Sequence, residues 1–432
     1  MNRLYLHNLG CAKNQIDGEL LAGWARNGSL KLTTDPYEAE IIVVNTCAFI
    51  EDAKNEAIDA ILDAARLKDN GNVRELYVMG CFPERYKGEL PTELPEVDGF
   101  FGVGQWKDLL SRISSADLKS SDNPYLKRCL ETPGHYAYLR IADGCSRGCT
   151  YCIIPHIRGR YKSRHLDEII EEAQHLAGSG VKELLPVAQE LNSYGHDMDL
   201  GTGNEPLMGL FERLCEVEGI EWIRPLYLHP PACDEKLLAF WASQPKLCRY
   251  LDLPIEHASD KILKHMGRAG TQKQIRNLVE NARNLMKNCV IRTSVIVGFP
   301  GETDQDFSEL MAFIEDIRFD RLGSFCYSAE EGTLAAELPD QVPLEVIQHR
   351  RDELMKLQAE ISRQKNDRYV GSEREVFIDD HDDNAGLSIA HSRLELPELD
   401  GDILIKGQYP IGKKMNVQIV EATEYDLFAR PV

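Results

Sequence analysis

The stretch Asp143-Gly-Cys145-Ser-Arg-Gly-Cys149-Thr-Tyr-Cys152 decides how this chain is read. Its three thiols follow the apolar run HYAYLRI (135–141). At this spacing, three thiolates can converge on one small metal body. A four-iron cubane takes four ligands, usually cysteines, so three leave one iron open for chemistry. A structural zinc would want four closed ligands, and His156 is the only neighbour that could complete such a set. Three unliganded thiols are the remaining alternative. The spacing favours an oxygen-sensitive iron–sulfur cluster with one open iron.

Outward from this stretch, apolar runs alternate with helical patterns from 135 to about 340. After HYAYLRI come ELLPV (183–187), IRPLYLH (223–229), RYLDLP (249–254), IRTSVIV (291–297) and LGSFCY (322–327). Between the first two lies LDEIIEEAQHLAGSG, with Leu166, Ile169, Ile170, Ala173, Leu176 and Ala177 on one face. It should end at Gly178 or Gly180, where a glycine C-cap is favoured. Six strand–helix units predict an α/β barrel or open barrel with function at the strand C-termini. A long charged helix from about 343 to 368 closes it.

Residues 1 to about 112 predict a second α/β domain with a parallel sheet. Leu4–His7, Ile41–Val44 and Leu76–Met79 read as strands, and GELLAGWAR and EDAKNEAIDAILDAARLKD as helices. The latter places Ala53, Ala57, Ile58, Ile61, Leu62 and Ala65 on one face. Cys11, Cys47 and Cys81 each follow one of these strands. Strand C-termini of a parallel sheet share one edge, so the three thiols can meet there. Three ordinary buried thiols are the bland alternative. Gly10 and Gly80 would allow tight turns beside them.

The Ser-rich, polar segment 116–134 reads as a linker. From 369, EVFID, SIAHS, DILIKG and MNVQIVEA are separated by turn residues and predict a small β-barrel. The expected domains are 1–115, 135–368 and 369–432, with 116–134 between the first two.

The chain has 432 residues and a formal net charge of −21, from 49 Lys and Arg against 70 Asp and Glu. Nucleic-acid binders need basic surface to neutralise phosphates. A general RNA binder is therefore disfavoured, and a basic protein partner suits the charge. From Ser372 onward there are six Lys or Arg against thirteen Asp or Glu. No apolar run is long enough for a membrane helix, and the N-terminus does not read as a secretory signal, so a cytoplasmic location is expected. There, twelve cysteines do not read as a disulfide framework. Cys129, Cys215, Cys233, Cys248, Cys289 and Cys326 lack a ligand pattern and read as structural.

C-x3-C-x2-C after the first strand of a βα barrel resembles the signature of the radical S-adenosylmethionine enzymes. The resemblance implies that the open iron of a cluster on Cys145, Cys149 and Cys152 binds the cosubstrate. Reductive cleavage then gives a 5′-deoxyadenosyl radical that abstracts hydrogen from an unactivated carbon. Tyr151 would lie near the adenine.

The segments GCAKNQIDGE, VNTCAFIEDAKNEAI and GCFPERY resemble the N-terminal domain of the methylthiotransferases, a branch of the same enzymes. This implies a second four-iron cluster on Cys11, Cys47 and Cys81, whose open iron carries the sulfur to be inserted. LFARPV ends a segment similar to the TRAM module of that family. Ala-Lys-Asn after Cys11, Ala-Phe-Ile-Glu-Asp-Ala after Cys47 and Ile-Ile-Pro-His-Ile-Arg-Gly-Arg-Tyr-Lys-Ser-Arg after Cys152 are similar to one branch. That branch methylthiolates the β-carbon of an aspartate in the twelfth small-subunit ribosomal protein.

The implied reaction uses two S-adenosylmethionines, one as methyl donor to the held sulfur and one as radical source. The implied partners are that basic ribosomal protein, free or within the assembled subunit, and an electron donor. Nucleic acid would be met only through the ribosome, and no membrane is involved. A tRNA adenosine methylthiotransferase is the nearest rival. A non-catalytic iron–sulfur sensor is the rival from another class.

Polar residues at strand ends, Gln189, Glu190, Glu256, His257 and Arg292, are candidates to hold the cosubstrate, though such residues are often structural. Gly298 and Gly301, in the turn GFPGET (298–303), would let backbone approach a nucleoside or would simply shape the turn. Asp379 to Asp383 reads as a solvated turn or, alternatively, as a contact for basic residues of the partner. Gln189-Glu190-Leu-Asn-Ser-Tyr-Gly departs from the Asp-Thr-Thr-Tyr-Tyr-Gly of many relatives. No acid–base dyad is expected, because hydrogen abstraction from such a carbon does not use one.

Overall fold

The computed structural model describes residues 2–28, 30–114 and 123–432. Residues 116–122 of the expected linker lie outside them. The described chain divides into two compact bodies. The first comprises Met1–Glu131, Ala142–Arg147 and Cys152–His175, and the second Thr132–Ile141, Gly148–Tyr151 and Leu176–Val432.

The first body is built on a five-stranded sheet in the order Lys31–Leu32, Arg3–Asn8, Ile41–Thr46, Glu75–Gly80 and Gly99–Phe101. Every pairing in it is parallel. The central strand Ile41–Thr46 is buried at every position, as expected where helices cover both faces. The helix Glu51–Asn70 turns Ala57, Ile61, Ala64 and Ala65 into a core with Ile42, Val44, Leu76 and Val78. Within the first body, the helix residues Ile169, Ile170 and Ala173 are buried too.

In the second body, Tyr136–Arg140, Glu183–Val187 and Trp222–Ile223 form one parallel sheet. Tyr250–Asp252, Val290–Val297 and Arg321–Cys326 form another. A parallel bridge from Ile223 to Leu247 joins the two in line. The six strands make the expected partial barrel. Of the run IRPLYLH only Ile223 lies in an assigned strand, Trp222–Ile223, and Pro225 has no N–H to give the ladder. The helix Leu344–Asp367 follows.

Glu373–Asp382, Leu387–Ser392, Ile403–Lys406, Leu427–Pro431 and Lys414–Ala422 close into a five-stranded barrel. Val376 and Ile378, Ile403 and Ile405, Val417 and Ile419, and Leu427 and Ala429 alternate inward to fill it. Among the described residues, no helix is long and apolar enough to cross a membrane.

Candidate metal centres

Register places the first thiol set. Asn8 pairs with Asn45 and Thr46 with Gly80, so Cys11, Cys47 and Cys81 leave the sheet along one edge. Leu9 N–H bonds the Asn45 carbonyl at 2.9 Å, holding the turn to Cys11 against the neighbouring strand. Gly10 has φ +90°, and a Cβ there would lie 2.7 Å from Cys47 Cβ and 3.3 Å from its sulfur. Only glycine lets backbone pass this close to the sulfur.

Asn14, fully buried, ties the three strand ends together. Its Nδ2 donates to the Thr46 carbonyl at 2.8 Å and to the Leu9 carbonyl at 3.2 Å. Its Oδ1 accepts from the Cys81 thiol at 3.4 Å.

Cys11 caps the helix Ala12–Asn27, where the helix dipole favours a thiolate. Burial pushes the Cys11 thiol up, but Lys13, Arg158 and the N–H groups of Asn14 and Lys13 bring it below the ordinary value. Burial and the neighbouring Cys11 raise Cys47. Burial pushes Cys81 up to about 12 against the opposing charge of Arg158, with Cys11 and Cys47 adding to the rise. Three sulfurs that repel one another's charge beside a cation suit a shared cationic body better than three free thiols. The donor set therefore fits an iron–sulfur cluster.

Arg158 ends the short helix Ile154–Arg158, six residues after Cys152 by number. Its side chain is 1% exposed. One nitrogen donates to Asp143 at 3.0 and 3.2 Å, and the other to Asn14 Oδ1 and, at 3.3 Å, to Asp17. The loop entering Cys145 is fixed in the same body. Cys145 N–H bonds the Gly159 carbonyl at 3.1 Å, and Tyr161 N–H bonds Ser146 Oγ at 3.1 Å. Arg147 N–H donates to the Cys145 sulfur at 3.4 Å. A side chain on Gly144 (φ +73°) would meet the Arg160 carbonyl at 2.3 Å. Cys152 also belongs to this body, and Cys149 and Tyr151 belong to the second.

In the second body, Thr150 pins its loop. Its N–H bonds the Met266 carbonyl at 2.9 Å, and its own carbonyl accepts from Ala335 at 2.8 Å. Arg268 lies beside Cys149, Tyr151 and Glu256, all three of which favour its charge against the penalty of burial. Glu256 is bridged in parallel to Val295 and has φ +68°. Its carboxylate stands 4.0 Å from Arg268. Burial raises its pKa, although Arg268 and a hydrogen bond from Tyr151 oppose the rise.

Gln189 and Glu190 follow the strand Glu183–Val187, and Glu190 accepts from Ser193 Oγ at 2.8 Å. His257 is fully buried. Its Nδ1 takes the Ser259 N–H at 2.9 Å, and its Nε2 stands 3.5 Å from Glu302. Gly298 donates its N–H to the same Glu302 at 2.8 Å. A Cβ on Gly298 (φ +78°) would fall 2.3 Å from Ile347, so this glycine serves close packing of the turn against a helix.

Arg292 stands apart. It lies near the start of Val290–Val297 and pairs with Asp252 at 2.9 Å and with Asp400 at 3.7 Å. Its charge is engaged by these two carboxylates, level with the last residue of Tyr250–Asp252.

Sequence reasoning passed over Asn14, Asp17, Arg158 and Arg268 as site residues. Arg158 stood in a quoted run, and Arg268 carried no local signal.

Comparison with known proteins adds three family matches. Residues 3–102 match the uncharacterized protein family UPF0004, 139–314 the radical SAM superfamily, and 370–432 the TRAM domain. The chain is 43% identical to the ribosomal protein uS12 methylthiotransferase RimO of Aquifex aeolicus, over 98% of this chain and 96% of that protein. It is 42% identical to the protein of the same name from Clostridioides difficile, over 99% and 98%, and from Pelobacter propionicus, over 97% and 96%. Among solved structures, the radical S-adenosylmethionine methyltransferase TsrM from Kitasatospora setae aligns with TM-score 0.53. The two are 15% identical, over 75% of this chain and 73% of that one, a likeness of fold.

Proposed function

Because the chain belongs to the ribosomal protein uS12 methylthiotransferases, radical S-adenosylmethionine enzymes, we propose that it methylthiolates the β-carbon of an aspartate in that small-subunit protein. The observation that carries this reading is the meeting of Cys11, Cys47 and Cys81 at one sheet edge, in addition to the Cys145, Cys149 and Cys152 motif. Two three-cysteine sets provide for two different tasks on one chain.

Cys145, Cys149 and Cys152 would hold the cluster that faces S-adenosylmethionine, and Cys11, Cys47 and Cys81 a second four-iron cluster. When bound, these groups supply reductive cleavage of S-adenosylmethionine for hydrogen abstraction and a methylated sulfur for transfer. The chain's own residues orient and enclose. Tyr151 and Glu256, joined by a hydrogen bond, offer a polar wall beside Cys149 for the cosubstrate. Gln189 and Glu190 stand at the C-terminal end of another strand of the same barrel. His257, Glu302 and Gly298 hold the turn after Val290–Val297 in shape. Burial of Glu256 and Arg268 keeps water from that side of the site, which a carbon radical requires.

The domain reading is 1–115 for sulfur delivery, 116–134 as linker, 135–368 for radical generation and 369–432 for partner contact. An acidic last segment suits a basic ribosomal protein. The reaction also needs an electron donor, and the enzyme would act in the cytoplasm.

The test is an anaerobic reaction of reconstituted protein with reductant, sulfide, S-adenosylmethionine and either small ribosomal subunits or tRNA, read by mass spectrometry. A methylthio gain on an aspartate of uS12, lost in Cys149→Ala, is the expected result. A gain on a tRNA adenosine would instead assign the chain's activity to nucleic acid.

A further inference from the structure

Arg158 touches both the thiol cradle and the approach to Cys145. It reaches Asn14 and Asp17 on the helix after Cys11 and Asp143 two positions before Cys145. It also bears on the charge of Cys11, Cys47 and Cys81. A guanidinium is always charged and offers donors in a fixed fork. Burying one is costly unless it is paired, and here two carboxylates and an amide engage it. A packing role would not need a charge in this place.

A cluster on three thiolates is anionic, and reduction adds one more negative charge. In a dry site, a fixed cation stabilises the reduced form more than the oxidised form. The carboxylates of Asp17 and Asp143 partly offset that field. Loss of the cation would leave buried Asp17 and part-buried Asp143 without their partner near the thiol set, so the effect of Arg158 exceeds that of a lone charge.

We propose that Arg158 is a positioning residue whose charge sets the reduction potential and retention of the group held by Cys11, Cys47 and Cys81. Its hold on Asp143 fixes that cradle against the loop that leads into Cys145. The inference rests on reading Cys11, Cys47 and Cys81 as cluster ligands, and the experiment separates the two.

The full-length chain carrying Cys145→Ala, Cys149→Ala and Cys152→Ala is reconstituted anaerobically with iron and sulfide. If this parent binds no iron, the reading of the N-terminal thiol set fails, whatever Arg158 does. If it binds about four irons per chain, Arg158→Gln and Arg158→Lys are compared with it. Iron is counted, and reduction is followed by electron paramagnetic resonance against potential.

At the parent's midpoint, the reduced-to-oxidised ratio in Arg158→Gln should fall at least tenfold, about 59 mV for one electron. Arg158→Lys should stay within threefold of the parent. Loss of iron in Arg158→Gln with retention in Arg158→Lys supports the same conclusion. An Arg158→Gln protein that titrates with the parent overturns the proposal. So does an Arg158→Lys protein that loses as much as Arg158→Gln, since charge would then not be the cause.

Discussion

Gly10 illustrates how much of the N-terminal site depends on single backbone positions. Its φ of +90° and the 2.7 Å that a Cβ would leave to Cys47 make alanine doubly unfavourable there. Strain of this kind costs on the order of 1–3 kcal/mol. Gly10→Ala should therefore hold markedly less iron at the N-terminal thiol set. Iron and sulfide assays in the background lacking Cys145, Cys149 and Cys152 would check this; full iron content would show that the turn relaxes freely. At this scale the sequence was informative where chemistry sits next to a strand. Cys11, Cys47 and Cys81 each follow an apolar run, so the edge they share could be read directly. Arg158 and Arg268 could not be placed, because their partners lie far away in sequence. Arg292, at the start of an apolar run, likewise gave no sign of Asp252 and Asp400, the carboxylates it meets.

At the scale of elements, the turn after Val290–Val297 is held by its ends. Thr303 and Asp306 form a reciprocal capping box on the helix Asp304–Ile317. Asp306 also accepts from Ser259 at 2.8 Å and from Lys261 at 2.8 Å. These bonds to Lys261, Thr303 and Ser259 hold its carboxyl well below the usual range, even against burial. The sign follows: this stabilisation is full above the ordinary carboxylate pKa and fades as pH falls toward the lowered one. Thr303→Ala should cost about 1 kcal/mol, seen as a lower urea midpoint with unchanged slope. An unchanged midpoint would mean that the cap adds nothing. The helices were legible from their apolar faces. The strand Leu427–Pro431 was not, since its parallel pairing with Ile403–Lys406 is a long-range choice. The two-residue strand Lys31–Leu32 is too short for any period to show.

At the largest scale, the second body joins its two barrels through buried charge. His391 of the closed barrel stands between Asp379, at 2.7 and 2.8 Å, and Glu183 of the partial barrel, at 2.6 Å. Glu183 in turn accepts from Arg224 at 2.8 Å, and Asp379 pairs with His135 at 2.7 Å. Burial alone would lower the His391 pKa, but Glu183 and Asp379 carry it up to about 9. A raised pKa means that the contribution is complete below about pH 6.5 and is lost as pH climbs through about 9. Its size is on the order of 3 kcal/mol for this nearly fully buried ring. The melting temperature should drop between pH 7 and 10, and His391→Gln should be less stable and flatter across that window. A wild-type melting temperature that does not move there would rule the imidazolium out. None of this network was visible in the sequence, where Asp379 read as the start of a solvated turn. The alternation of strands and helices was enough for the architecture, because it survives averaging over many residues.

The parallel sheet of the first body also fixes a timetable. A ribosome delivers the chain from its N-terminus, so Cys11 emerges long before Cys81, and Arg158 later still. The edge on which the thiols meet exists only after Glu75–Gly80 has docked beside Ile41–Thr46. The cation at its side arrives after the entire Cys145 to Cys152 loop has been made. Iron offered to a nascent chain would meet scattered thiols, so loading of the N-terminal set must wait at least until synthesis has passed Cys81.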